Sequence, residues 1–291
     1  MKNYTISIAC VLLLTSSVAF SQQPQRDKSR TPRLSSDDLN RSPDSSKATA
    51  NPDKQLDSSE PIKVLFVGNS YTYVNNLPQI VEQLSLVANE SRPLETKMVA
   101  VGGATLQNLW DSGQVVQLLR QERWNYVVLQ EQSLLPISNP EVMHKYVRLF
   151  DSEITRVGAR TILFLTWGRR NRPDTQRRIT EAYLAIAREI HAVVAPVGLA
   201  WETVRKEYPA LSLYDQDDSH PTRLGTYLTA CVFYVVFYGK SPEGLNGPVF
   251  STQSGSGAEG DGIRVEPIGK EEARLIQRIT WEFLKNRTDE Y

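Results

Sequence analysis

The sequence predicts an α/β domain, a parallel sheet covered by helices on both faces. Three observations predict it. From residue 61 onward, short runs of apolar residues alternate with stretches of helical periodicity. The runs are apolar at consecutive positions, the pattern of strands buried on both faces. The regular order of strand then helix is that of parallel crossover units, which assemble into three layers.

In chain order, the first strand is IKVLFV (62–67), which breaks into Gly-Asn-Ser. A helix follows over 78–89. The second strand is KMVAV (97–101), followed by helical pattern over 105–121 with a break near Gly113. YVVLQ (126–130) is the third strand and 140–157 the next helix. TILFLT (161–166) is the fourth, with a helix over 175–193. The fifth, VAPVGLA (194–200), is the least sharply marked. A long helix is expected over 221–238, stopping at Gly239, and a terminal helix over 269–286. Between these two lies a Ser/Gly-rich loop, STQSGSGAEGDG (251–262), of the composition of mobile segments.

The N-terminal 60 residues divide in two. Residues 1–21 carry a lysine, an apolar stretch and then Ala19-Phe20-Ser21, the layout of an export signal cleaved after Ser21. The apolar run is shorter than the ~20 residues of a membrane span, so no stable anchor is expected after cleavage. The mature chain is expected to be secreted or periplasmic. Cys10 sits inside the apolar region, not at its end where a lipid-modified cysteine belongs. Residues 22–60 are rich in Ser, Asp, Arg and Pro with almost no aliphatic or aromatic side chains, so burial cannot offset ordering entropy and a disordered linker is expected. The domain is assigned to 61–291. With 40% hydrophobic residues in 291, the chain suffices for one full core.

Without the signal, Cys231 is the only thiol, so no intramolecular disulfide can form. It lies in YLTACVFYVVF, where a buried small hydrophobe is the expected role. A formal net charge of +0 gives no field to attract nucleic acid. The oligomeric state is not legible.

Ligands of open α/β sheets bind beyond the carboxyl ends of the strands. That directs attention to GNSYT, GGATL, QEQS and, before the last core helix, DQDDSHP. Ser70 falls at the rim of the first strand, and a serine nucleophile needs a base within hydrogen-bond reach. The chain has three histidines. His144 and His191 fall inside helical stretches. His220 stands at a loop-to-helix junction, three residues after Asp217, and a carboxylate so placed can fold back onto Nδ1 and leave Nε2 to take the serine proton. The same DDSHPT reads alternatively as a helix N-terminus, with Asp or Ser as cap and Pro in the first turn.

Together these segments resemble the SGNH, or GDSL-type, serine hydrolase superfamily from about residue 61 to 239. The resemblance implies a flavodoxin-like α/β/α sandwich with a five-stranded parallel sheet. It makes Ser70 of GNS the nucleophile and Asp217 and His220, followed by Pro221, the closing block. It makes the Ser70 N–H, the Gly103 N–H (Gly102 being the neighbouring choice) and the Gln132 side chain the oxyanion donors. Two departures stand out: Asn69 replaces the usual aspartate before the nucleophile, and the third block lacks its glycine and asparagine. Gln130 competes with Gln132 as donor. Glu131, between them, reads as a loop-bonding carboxylate or as an acid/base group.

No loop has the spacing that cradles phosphates or a dinucleotide, and the histidines are scattered, so neither a cofactor nor a metal is expected. WGRRNRP gathers Arg169, Arg170 and Arg172 after the fourth strand, as a solvated basic loop or as a contact for an anionic or sugar-acid substrate. Trp167 beside them belongs either to the core or to a sugar-stacking surface. The expectation is an exported serine esterase acting on a small-molecule or carbohydrate ester, with an O-acetylated carbohydrate as the leading substrate. A silent carbohydrate-binding domain and an O-acyltransferase are the alternatives.

Overall fold

The computed structural model describes residues 60–247 and 268–287. The expected export signal (1–21), nearly all of the linker (22–60) and the Ser/Gly-rich loop (251–262) lie outside the described residues.

Five strands form one parallel sheet: β1 (Ile62–Gly68), β2 (Leu94–Ala100), β3 (Tyr126–Leu129), β4 (Arg160–Phe164) and β5 (Val193–Ala195). Their order is β2-β1-β3-β4-β5 with every neighbouring pair parallel. The chain starts at an inner strand, steps out to β2, then crosses β1 to β3 and continues to the far edge. Right-handed crossovers in opposite directions place helices on opposite faces, which yields the three layers.

Period-two alternation divides each strand between two cores. Val64, Phe66, Val128, Ile162 and Phe164 pack on one face against α2 (Leu77–Val87), α8 (Val197–Glu207), α9 (Arg223–Tyr238) and α10 (Lys270–Leu284). Leu65, Val67, Val127, Leu129 and Leu163 pack on the other against α3 (Leu106–Asp111), α4 (Gln114–Gln121), α6 (Pro140–Arg156) and α7 (Gln176–Ile190). Both faces are dry, so consecutive positions are apolar. Cys231, at 0% exposure in α9, is a core side chain whose thiol burial pushes above its ordinary range.

The break near Gly113 separates α3 from α4. Several boundaries differ from expectation, β2 beginning at Leu94 and α9 at Arg223, and two of the differences have a local cause. The fifth run is a strand only as far as Ala195; Pro196 lacks the N–H a ladder needs, and Val197 onward is helix α8. Helix α7 ends at His191 in left-handed conformation (φ 54°), which releases Val193 to β5. Two short helices, α1 (Ser70–Tyr73) and α5 (Leu135–Ser138), follow β1 and β3 and are too short for a helical periodicity to mark them in the sequence.

Candidate active site

The Ser70 segment is built from three strand ends. Asn69 caps α1 by accepting the Tyr71 N–H on its Oδ1 (3.2 Å), donates from Nδ2 to the Ala104 carbonyl (2.9 Å), and gives its own N–H to Gln130 Oε1 (2.9 Å). The second of these bonds explains the departure from aspartate. A carboxylate there has no hydrogen to offer a carbonyl oxygen. Ser70, first residue of α1 and half-buried, has an N–H without an intrahelical partner.

His220 is presented by a hairpin-like loop. Tyr214 and Pro221 form an isolated antiparallel bridge, closed by Asp215 N–H to His220 O (2.8 Å) and Thr222 N–H to Leu213 O (2.9 Å). Inside it, Asp217 Oδ1 accepts the N–H groups of Ser219 (3.0 Å) and His220 (2.9 Å), and Asp217 Oδ2 is hydrogen-bonded to His220 Nδ1. Nε2 then lies 2.8 Å from Ser70 Oγ. Partial burial works to raise the Asp217 pKa, but the bond with the imidazole, the two backbone donors and charge attraction outweigh it and hold the carboxyl down at about 2. Asp217 is therefore ionised throughout the range in which a histidine serves as base.

An aromatic stack backs this loop. Tyr71 lies on Trp167 (4.5 Å, 9°), Trp167 on Trp201 (3.8 Å, 2°), and Tyr71 meets the His220 ring edge-on at 5.8 Å. Trp167 donates to Ser219 O (3.0 Å) and the Tyr71 hydroxyl bonds Ser219 Oγ (2.8 Å). At 1% exposure Trp167 is core, so the sugar-stacking alternative falls. The arginines divide as well. Arg170 clamps the loop, with Nη2 on Tyr214 O (2.6 Å) and Nε on Asp218 Oδ1 (3.2 Å). Arg172 pairs with Asp174 at the surface. Arg169 is half-buried with its Nε shielded and without an acceptor.

Gly103 is the third residue of a turn closed by Ala104 N–H to Val101 O (3.0 Å). Its φ of +68° favours glycine, and its exposed N–H makes no backbone hydrogen bond among the described residues. Gln132 Oε1 accepts the N–H groups of Leu134 (2.8 Å) and Leu135 (3.2 Å), which leaves the NH2 end as donor. Gln130 is removed as its competitor. Fully buried, it receives Asn69 N–H and Thr72 Oγ1 on Oε1 and gives Nε2 to Glu131 O (2.5 Å). Glu131 is loop-bonding. Its Oε1 accepts the N–H groups of Gln132 (2.6 Å) and Leu106 (3.1 Å), and burial pushes its pKa up to about 7.

The structure thus brings Ser70, His220 and Asp217 into one hydrogen-bonded chain, with Gly103 and Gln132 on the two loops flanking Ser70. His144 is tied to Ala182 O (2.8 Å) and His191 ends α7; neither joins the site. Sequence reasoning missed the supporting parts: Tyr71, Ser219 and the buttressing role of Gln130. Their partners are distant in the chain, and no local pattern marks them.

No protein-family model matches the chain, and the comparison with curated proteins gives no match. Solved structures do match. A candidate SGNH hydrolase from Slackia heliotrinireducens aligns with TM-score 0.52 and 26% identity over 60% of this chain and 97% of that one. A DUF4886 family protein from Bacteroides uniformis aligns with TM-score 0.54 and 15% identity over 78% of this chain and 94% of that one. The acetylxylan esterase Axe2 from Geobacillus stearothermophilus aligns with TM-score 0.50 and 16% identity over 61% and 94%. The last two likenesses are of fold alone.

Proposed function

We propose that this chain, a member of the SGNH hydrolase superfamily by fold, is a serine ester hydrolase that works through an acyl-enzyme. The observation that carries the reading is the continuous relay from Ser70 Oγ through His220 to Asp217. Ser70 Oγ attacks the ester carbonyl carbon while its proton passes to Nε2, and Asp217 stabilises the imidazolium that results. The carbonyl electron pair moves onto oxygen, facing the N–H groups of Ser70 and Gly103 and the Gln132 amide. Collapse breaks the C–O bond, the leaving alkoxide takes the proton from Nε2, and the acyl group stays on Ser70. Water then repeats the sequence, giving its proton to His220 as its oxygen bonds the acyl carbon. The carboxylic acid leaves and Ser70 recovers its proton.

We further propose an O-acetylated carbohydrate as substrate class and export as the setting. The first is supported by the acetylxylan esterases among proteins of this fold, the second by the layout of residues 1–21. The test is turnover of p-nitrophenyl acetate by the wild type beside Ser70→Ala, His220→Ala and Asp217→Asn. The expected outcome is turnover by the wild type, background rates for the first two, and a fall of about 10⁴-fold in kcat for the third. Folded proteins that are equally inactive on this ester and on acetylated oligosaccharides, yet bind those sugars, point instead to a silent binding domain. Products carrying the acyl group on a sugar hydroxyl point to acyl transfer.

A further inference from the structure

We propose that Glu131 is a positioning residue: its buried carboxyl group ties the Gly103 loop to the Gln132 segment and thereby sets the spacing of the two oxyanion donors that flank Ser70. The inference rests on the oxyanion-hole reading above and extends it to a residue that touches no substrate.

Sheet order creates the need. Gly103 follows β2 and Gln132 follows β3, but β1 lies between those strands, so no ladder bond joins the two loops directly. Three hydrogen bonds close a ring across the end of β1. Asn69 reaches the β2 side through Ala104 O (2.9 Å), Gln130 reaches Asn69 N–H from the β3 side (2.9 Å), and Glu131 Oε1 completes the circuit by accepting Leu106 N–H (3.1 Å). The same oxygen accepts Gln132 N–H at 2.6 Å. One atom thus serves two donors from two loops, and a rigid acceptor between two donors fixes their separation.

The local chemistry supports a specific role. Leu106 opens α3, whose Thr105 cap is occupied with Asn108 in a capping box, so the Leu106 N–H depends on Glu131. Glu131 is 0% exposed, and its second oxygen, Oε2, is buried without a partner. Burying a carboxyl in this state is costly. A side chain that served only to fill space would be apolar.

The test uses the full chain with Glu131→Gln, Glu131→Asp and Glu131→Leu, reading kcat and KM on p-nitrophenyl acetate and amide hydrogen exchange at Leu106 and Gln132. Glutamine keeps a carbonyl at the same reach, so kcat within about threefold of wild type and retained protection at both amides are expected. Aspartate draws the acceptor back by one methylene and leucine removes it. Both are expected to lose that protection and to lower kcat by about 10- to 100-fold with KM little changed, the scale of a misplaced catalytic group. Wild-type kcat in Glu131→Asp or Glu131→Leu, or a glutamine variant as impaired as those two, overturns the proposal. If leucine prevents folding, the aspartate and glutamine pair decides. If the wild type turns over no ester, the hydrolase reading fails separately, and exchange alone decides the tie: protection unchanged at both amides in Glu131→Asp overturns it.

Discussion

Gln132 uses the two ends of its amide differently. Its oxygen caps the backbone N–H groups of Leu134 and Leu135, and that attachment orients the NH2 group. In the mechanism proposed above, this glutamine takes the place of the asparagine donor of the third block. Gln132→Ala is expected to lower kcat by about 10²- to 10³-fold, the scale of one lost oxyanion donor. Gln132→Glu separates the two roles, because it keeps an acceptor for the cap and removes the donor. Its kcat is expected to fall as far while its thermal stability stays at the wild-type level. An unchanged kcat in either variant removes Gln132 from the oxyanion hole. Ser70, Asp217 and His220, which the fold joins in one hydrogen-bonded chain, were legible in the sequence because a serine at a strand end and an Asp-x-x-His spacing are local. Gln130 was not resolved from Gln132, because what separates them is burial: one points under the Asn69 turn and the other caps the next helix.

Helix α8 shows the same division at the scale of an element. VAPVGLA is apolar enough to pass for a strand, and only packing decides where strand ends and helix begins. Gly198, in the first turn of α8, donates its N–H to Leu165 O (2.9 Å), and a Cβ there would stand 2.1 Å from Thr166 O and 2.5 Å from Gln176 Nε2. Helix propensity alone says that alanine at this position stabilises, by about 0.5–1 kcal/mol. The close approach to the end of β4 says the reverse. Gly198→Ala is expected to destabilise by about 1–3 kcal/mol, read as a fall of several degrees in Tm. Trp167 follows Thr166 directly and carries the Ser219 contact, so esterase activity is expected to fall with it. A variant with equal or higher Tm shows that α8 has room to move.

At the scale of the whole molecule, the sheet order brings together side chains 150 positions apart, Ser70 and His220, and buries the Glu131 carboxyl group against the amides of Leu106 and Gln132. Burial raises the Glu131 pKa from 4.5 to about 7, and the ionisable group facing it is the buried Tyr183 hydroxyl, which accepts the Glu131 N–H (3.1 Å). The folded state therefore holds this proton more tightly than the unfolded chain. The contribution to stability is fully present below about pH 4.5 and is lost as pH rises through about 7, on the order of 3 kcal/mol in all. In melts from pH 4.5 to 8, Glu131→Gln is expected to gain on the wild type steadily as pH rises; a constant difference shows that Glu131 titrates alike in both states. The sequence by itself determined the layer architecture, because strands buried on both faces must be apolar at consecutive positions. It also marked Asp217 and His220 as a pair, because their spacing is local, and Ser70 as a serine at a strand end; that these meet across 150 positions is a matter of the fold. Only the tertiary structure decided which glutamine is available as a donor, that Trp167 is core, where β5 gives way to α8, and that Glu131 closes a ring across β1. Each of these depends on contacts between segments far apart in the chain, and a hydrogen bond or a close approach of that kind leaves no periodicity in either segment alone.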